Sequence, residues 1–183
     1  TQGLLWQGKF DEVRKVVDAI ADKNSPEFWA LNLAMADAYY AFGKYADADK
    51  LYLEFFKKVD KPGPALVTFY RDSAYKYAQM LLYLGKEREA LTAYRRLFNV
   101  PLEEDVARNV NADMAELMLK LAPTLQKKEE KAAMLKEAEG VVDKLLWKQD
   151  IWFGKAIVMK AHIFLLRGDV KGAQELVENY MPQ

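Results

Sequence analysis

Four glycines in this chain, Gly8, Gly43, Gly85 and Gly168, stand within one recurring pattern of apolar residues. An apolar residue lies four positions before each glycine, another lies five positions after it, and a third lies nine positions after it. This repetition predicts stacked hairpins of two helices. Small residues let the helix backbones approach, bulky residues fill the flanks, and glycine takes a turn conformation that other residues adopt at a cost.

The apolar spacing between these glycines is helical. Residues 45–59 and 90–98 follow the i, i+3, i+4, i+7 rule, whereas the alternation typical of strands is not sustained in any segment. The pattern predicts an all-α chain with about ten helices. These begin with a fragment and a helix near 10–22, followed by helices at roughly 28–42, 45–58, 65–84, 87–98, 103–122, 129–147, 151–166 and 170–180.

Several residues predict where helices begin and end. Ser25 precedes Pro26, and this order suits an N-cap followed by the first helical residue. Asp150 is a similar cap candidate before Ile151. Pro123 predicts the end of the helix that precedes it.

Composition removes many function classes. The 183 residues include 27 basic and 27 acidic side chains, so no net charge attracts the chain to nucleic acid or to anionic lipid. Cysteine is absent, which excludes thiol nucleophiles and thiolate metal sites but fits the cytoplasm and the bacterial periplasm equally well. His162 is the single histidine, so a site that needs two imidazoles is excluded. The sequence predicts no catalytic residue, cofactor or metal.

The stretch from Ala36 through Gly43 to Tyr52 resembles the tetratricopeptide repeat family, whose units are helix–turn–helix pairs of 34 residues. The resemblance implies a right-handed α-solenoid of about five antiparallel helix pairs, forming a single domain over residues 1–183 that is a segment of a longer protein. The glycine spacings of 35, 42 and 83 residues depart from the family period. They predict two lengthened turns and a degenerate fourth unit with Ala133 in the glycine place. Residues of that unit at matching offsets are Leu135, Ala138, Val142 and Leu145.

In this family the first helix of each unit lines a concave groove that holds the partner. Carried onto the matching positions, the resemblance implies a groove of polar, apolar and aromatic side chains, although neighbouring helices could cover some of them. Tyr39, Tyr52, Tyr94 and Phe164 fall at the family's core offsets and are expected to pack inside. The groove set is Leu33, Asp37, Tyr40, Asp72, Tyr75, Gln79, Tyr83, Val158, His162 and Leu165.

The function implied by the resemblance is a non-enzymatic scaffold that binds a peptide or an amphipathic helix of a protein partner. A helical repeat protein that binds single-stranded RNA is the alternative, and the neutral charge and the groove aspartates disfavour it. Leu33 and Ala34 replace polar residues of the clamp with which some family members hold acidic tails, so that activity is not expected. No apolar run is long enough to span a membrane.

Both ends of the sequence carry apolar side chains where a solenoid needs a polar cap. These are Leu4, Leu5 and Trp6 at the start and Leu176, Val177, Tyr180 and Met181 at the finish. The exposed ends predict either further repeats beyond this segment or self-association through the ends. The identity of the partner does not follow from the sequence.

Overall fold

The computed structural model describes residues 1–180. Within them it has ten α-helices, three short 3₁₀ helices and no strand, which confirms the predicted all-α class. The α-helices are α1 (Gln2–Trp6), α2 (Phe10–Ala19), α3 (Pro26–Ala41), α4 (Tyr45–Lys58), α5 (Val67–Tyr83), α6 (Glu87–Arg96), α7 (Glu104–Leu121), α8 (Lys128–Asp143), α9 (Phe153–Leu166) and α10 (Val170–Tyr180). The 3₁₀ helices are Pro64–Leu66, Leu97–Asn99 and Ala122–Thr124.

Consecutive helices pack as five pairs: α1 with α2, α3 with α4, α5 with α6, α7 with α8, and α9 with α10. The chain divides into two compact units. Unit 1 runs from Thr1 to Pro101 and holds the first three pairs, and unit 2 begins at Leu102 and holds the other two. The two units are described separately, and the single domain over residues 1–183 stays a prediction.

The four repeat glycines lie at the turns inside four of the pairs. All four have positive φ angles, between 71° and 83°, in the left-handed region that favours glycine. At Gly43 the backbone N–H donates to Tyr40 O at 3.0 Å, and the N–H of Lys44 donates to Tyr39 O at 2.8 Å. This arrangement satisfies carbonyls at the end of α3 and turns the chain into α4. The turn role predicted for these glycines is confirmed.

The α7–α8 pair differs from the prediction. Ala133 does not take a turn position, because it lies inside the continuous helix α8. The connection is made instead by residues 122–127, where Pro123 sits in a 3₁₀ helix and Leu125 is extended. The predicted end of a helix near Pro123 is confirmed. The four predicted core residues of this unit, Leu135, Ala138, Val142 and Leu145, are buried.

Aromatic side chains fill much of the core of unit 1. Tyr52 is fully buried and stacks on Tyr77 with ring centroids 4.9 Å apart. Phe55 packs edge-on against Trp29 and Tyr70. Large rings bury much apolar surface per residue, so a few of them hold α3, α4 and α5 together.

Two predicted caps have different outcomes. Ser25 is the N-cap of α3, with Pro26 as its first residue, and its hydroxyl accepts from the Phe28 N–H at 3.2 Å. Asp150 does not cap α9 directly, because that helix begins at Phe153. Its carboxylate accepts from the Trp152 N–H at 3.0 Å and so orders the turn before the helix.

A buried arginine holds that turn in unit 2. Arg108 on α7 is 3% exposed, and its Nη2 donates to Asp150 Oδ1 at 2.8 Å and to Leu145 O at 2.9 Å. The guanidinium also lies over the rings of Trp147 and Trp152. These hydrogen bonds lower the pKa of the Asp150 carboxyl. The arginine therefore fastens the connection between α8 and α9 to α7.

Candidate partner-binding cleft

A cleft of about 640 Å³ opens in unit 1 between α1, α3 and α5. These three helices are the first helices of their pairs, so the cleft lies on the side of unit 1 where the resemblance implied a groove. Its surface is mostly apolar. The lining residues are Gln2, Leu5, Trp6, Ala34, Asp37, Ala38, Tyr40, Ala41, Thr68, Phe69, Asp72, Ser73 and Lys76.

Helical periodicity places these side chains on shared faces. On α3 the lining residues at 34, 37, 38 and 41 follow the i, i+3, i+4, i+7 spacing. On α5 the residues at 69, 72, 73 and 76 follow the same spacing. The stripe on α3 therefore forms one wall of the cleft, and the stripe on α5 forms another.

Asp37 is the polar centre of the cleft. Its Oδ1 accepts from the Tyr52 hydroxyl at 2.6 Å and from the Ser73 hydroxyl at 3.2 Å, and its Oδ2 accepts from Lys76 Nζ at 2.6 Å. One carboxylate thus connects α3 to α4 and to α5. Burial raises the pKa of the Tyr52 phenol, and the adjacent Asp37 carboxylate raises it further. Tyr52 is held as a neutral donor.

Exposed aromatic rings flank this centre. Trp6 is 75% exposed and Phe69 is 43% exposed, although both line the cleft. Tyr40 approaches Tyr45 with ring centroids 5.9 Å apart, and Tyr45 approaches Tyr83 at 5.3 Å. The aromatic surface therefore continues from the cleft to the end of α5.

The structure brings together some of the predicted groove residues of unit 1. Asp37, Tyr40 and Asp72 line the cleft. Leu33 does not, because it is 1% exposed and packs in the core one helical step from Ala34.

Three other predicted groove residues of unit 1, Tyr75, Gln79 and Tyr83, are not among the residues that line the cleft. Gln79 donates to the Tyr94 hydroxyl at 2.8 Å, and Tyr75 packs edge-on against the same ring at 6.4 Å. Tyr83 is 74% exposed and is connected to the cleft through Tyr45. The groove assignment of these residues stays a prediction.

The remaining predicted residues lie on α9 in unit 2. Val158, His162 and Leu165 are exposed and share one helix face by their i, i+4, i+7 spacing. Lys155 on the same helix pairs with Glu116 of α7 at 2.8 Å. This face carries apolar, cationic and imidazole groups, and its role in binding stays a prediction.

Two residues that line the cleft, Trp6 and Phe69, were not among the predicted groove residues. Trp6 lies on the short helix α1, before the repeat is fully established. Phe69 lies near the start of α5, far from its turn glycine. The spacing around Asp72 contained a signal, since Phe69 is three positions before it and Lys76 is four positions after it on the same helix face.

The predicted core and terminal residues are accounted for as follows. Tyr52 and Tyr94 are fully buried, whereas Tyr39 and Phe164 are only half-buried. Tyr39 stacks on Phe10 with ring centroids 4.1 Å apart. At the termini Leu5 is buried while Val177 and Tyr180 stay exposed, and Met181 lies outside the described residues.

Two searches over residues 1–180 bear on other kinds of site. No group of three or more metal-ligating side chains comes together in this part of the chain. No helix there combines the length and the apolar character needed to cross a bilayer.

Comparison with known proteins identifies the fold. No protein-family model matches the sequence. No curated protein matches it either. A solved structure from Podosopora anserina, described as a kinesin light chain with nearly identical TPR-like repeats, is similar with a TM-score of 0.54 and 16% sequence identity. The match covers 96% of this chain and 87% of that one.

The five helix pairs and this likeness define an all-α helical-repeat fold of the solenoid class. More narrowly, the chain has a TPR-like repeat fold, as its glycine-centred pattern predicted.

Proposed function

We propose that this chain is a non-enzymatic scaffold that holds a peptide or an amphipathic helix of a protein partner in the cleft of unit 1. The observation that carries the proposal is the cleft itself, which has an apolar lining and exposed aromatic rings between the first helices of three consecutive pairs. Stacking of successive helix pairs creates extended concave surfaces of this kind, which repeat proteins use for binding.

The volume and lining suit a side-chain anchor. A space of about 640 Å³ is within the usual range of ligand sites and is large enough for several apolar side chains. Exposed rings such as Trp6 and Phe69 supply large contact area with few rotatable bonds, which is typical of residues that dominate protein interfaces.

The polar groups of the cleft support binding better than catalysis. The Ser73 hydroxyl donates to a carboxylate that also accepts from Tyr52 and Lys76. Those three bonds use Asp37 as a structural acceptor that joins helices. A nucleophile with a free adjacent base is the arrangement that acyl-transfer chemistry needs, and the cleft does not resemble it.

Single-stranded RNA is the alternative partner. RNA binding depends on cationic side chains along the phosphate path. The cleft presents Asp37 and Asp72 against Lys76, so its charged lining favours a polypeptide.

The experiment is a selection of peptides from a random 16-residue display library on the intact chain, followed by fluorescence anisotropy on the enriched peptides. Ala41→Trp is the diagnostic variant, because Ala41 is exposed and lines the cleft, so the new ring occupies the cleft without entering the core. Ala46→Trp on α4 is the matched control, since Ala46 is exposed and is not a lining residue.

The proposal expects that Ala41→Trp weakens binding by about ten-fold or more and that Ala46→Trp leaves it unchanged, because loss of a well-packed interface centre costs on the order of 2 kcal/mol. If both variants bind the peptide equally well, the cleft is not the peptide-binding site. Failure to enrich any peptide, together with salt-sensitive binding of a uridine oligonucleotide, contradicts the scaffold and supports the RNA alternative.

A further inference from the structure

The charged side chains of the cleft indicate what kind of segment it accepts. We propose that the cleft of unit 1 selects a polypeptide segment in which apolar residues are flanked by lysine or arginine. This inference rests on the proposed function, and it adds the chemistry of the partner.

The first step concerns the balance of charge along the lining. Two carboxylates, Asp37 and Asp72, and one ammonium group, Lys76, line the cleft. Lys76 Nζ lies 2.6 Å from Asp37 Oδ2, so that pair is neutralised within the wall. The second carboxylate of the lining is Asp72, whose ion-pair partner lies outside the lining.

The second step concerns the availability of Asp72. Its side chain is 53% exposed, and it pairs at 3.2 Å with Nε of Arg71, the residue beside it on the chain. Arg71 is not a lining residue, so its charge lies to the side of the cleft. A carboxylate has about four acceptor positions. Asp72 can therefore accept a hydrogen bond from a cationic side chain of the partner while it keeps its ion pair with Arg71.

The third step compares the possible partners. A lysine or arginine beside an apolar anchor would approach Asp72 while the anchor fills the space beside Phe69 on the preceding turn of α5. A glutamate at the same place would instead approach the Asp72 carboxylate, which has the same charge. Exposed charge pairs are individually weak but discriminate well between opposite signs.

The test uses the same display library in three parallel selections, on the wild type, on Asp72→Lys and on Glu54→Lys. Glu54 is exposed on α4 outside the cleft, so its replacement makes the same change in net charge at another place. One enriched peptide is then synthesised in three versions with lysine, glutamine or glutamate beside its apolar residues. Affinities are measured by anisotropy at low and at high salt.

The inference expects wild type and Glu54→Lys to prefer the lysine version over the glutamate version by about ten-fold at low salt, with a smaller preference at high salt. Asp72→Lys should reverse the preference. If the charge reversal disturbs folding, the milder Asp72→Asn replaces it. This variant should weaken the preference for the lysine version by about two- to five-fold.

The outcomes separate this inference from the proposed function. Binding of all three peptide versions with equal affinity, or tighter binding of the glutamate version by wild type, overturns the inference and leaves the scaffold standing. An equal reversal in Glu54→Lys also overturns it, because the effect is then one of net charge. If no peptide is enriched on any variant, the scaffold itself fails and the inference fails with it.

Discussion

The hydroxyl of Tyr52 donates to Asp37 at 2.6 Å, and these two residues lie on the two helices of one pair, fifteen positions apart. Gln79 and Tyr94 hold the equivalent positions in the next pair, also fifteen apart, and are joined at 2.8 Å. In the last pair the same positions carry His162 and Val177, and valine has no hydroxyl. Both of these links across a helix pair lie in unit 1, in its second and third pairs.

The first prediction concerns the strength of this link. Tyr52→Phe should lower the free energy of unfolding by about 2 kcal/mol, because hydrogen bonds to charged groups contribute about 1.5 to 3 kcal/mol. Tyr94→Phe should cost only about 1 kcal/mol, since its partner Gln79 is neutral. Urea unfolding followed by circular dichroism measures both losses. An equal or larger loss in Tyr94→Phe contradicts the assigned role of the Asp37 carboxylate.

The repeat unit could be predicted from sequence because its signals are local. Glycine must take a positive φ at the turn after α3, and the small residue five positions later must allow close helix packing. Both residue types therefore recur at fixed positions relative to the turn. The α7–α8 connection left no such mark. Pro123 and an extended Leu125 make that turn without glycine, and Ala133 was assigned to it wrongly because an offset was extrapolated into a continuous helix.

The second prediction compares two glycines with opposite backbone requirements. Gly43→Ala should destabilise the chain by about 1 to 2 kcal/mol, because the glycine has a φ of 72° and an alanine strains there. Gly140→Ala should stabilise it by about 0.5 to 1 kcal/mol, because Gly140 lies inside α8 with no atom near the position of an added Cβ. Urea midpoints of the two variants test this. A gain of stability in Gly43→Ala would contradict the turn assignment.

The third prediction concerns Arg108. Arg108→Met should destabilise unit 2 by more than a surface pair would, because it removes the hydrogen bonds that the buried guanidinium donates to the carbonyls of Lys144, Leu145 and Lys148 as well as its pair with Asp150. Lys155→Met is a suitable control, since its pair with Glu116 is exposed and should contribute less than about 1 kcal/mol. Similar losses in the two variants would show that the Arg108 pair behaves as a surface pair.

The fourth prediction follows from the lowered pKa of Asp150. Folding lowers this pKa below its ordinary value of 3.8, so the pair adds stability above the unfolded pKa and loses it as the pH falls towards the folded pKa. The stability difference between wild type and Asp150→Asn should therefore be complete at neutral pH and shrink below about pH 4. Urea titrations at a series of pH values measure it. A difference that grows in acid contradicts the assignment.

The fifth prediction concerns the buried tyrosines. The chain has ten tyrosines, and burial raises the pKa of Tyr39, Tyr52, Tyr70 and Tyr77. These phenols should therefore ionise at a higher pH in the folded chain than in the chain unfolded by urea. Because the pKa is higher in the folded state, stability should fall as the pH rises above about 10.

Absorbance at a wavelength specific for tyrosinate records this titration. In Tyr52→Phe the increase that accompanies unfolding should be smaller by one tyrosine. Complete ionisation of all ten tyrosines before unfolding would contradict the observed burial.

The cleft was only partly predictable. Asp37, Tyr40 and Asp72 were found through the positions that the resemblance assigns to a groove. Leu33 was misplaced because one helical step of about 100° separates a lining position from a core position. Trp6 was predicted as an exposed apolar end and not as a cleft residue, because its place beside α3 depends on tertiary packing. Phe69 was not predicted, although its spacing from Asp72 places both on one face of α5.

The proposed binding site for a polypeptide segment is the cleft between α1, α3 and α5. The most direct measurement is the map of backbone amide chemical shifts on titration of an enriched peptide into the labelled chain. If the peptide binds in the cleft, the largest changes should fall at Ala34, Ala38, Ala41, Phe69 and Asp72. Largest changes on α4 or α6, with those five amides unmoved, would contradict it.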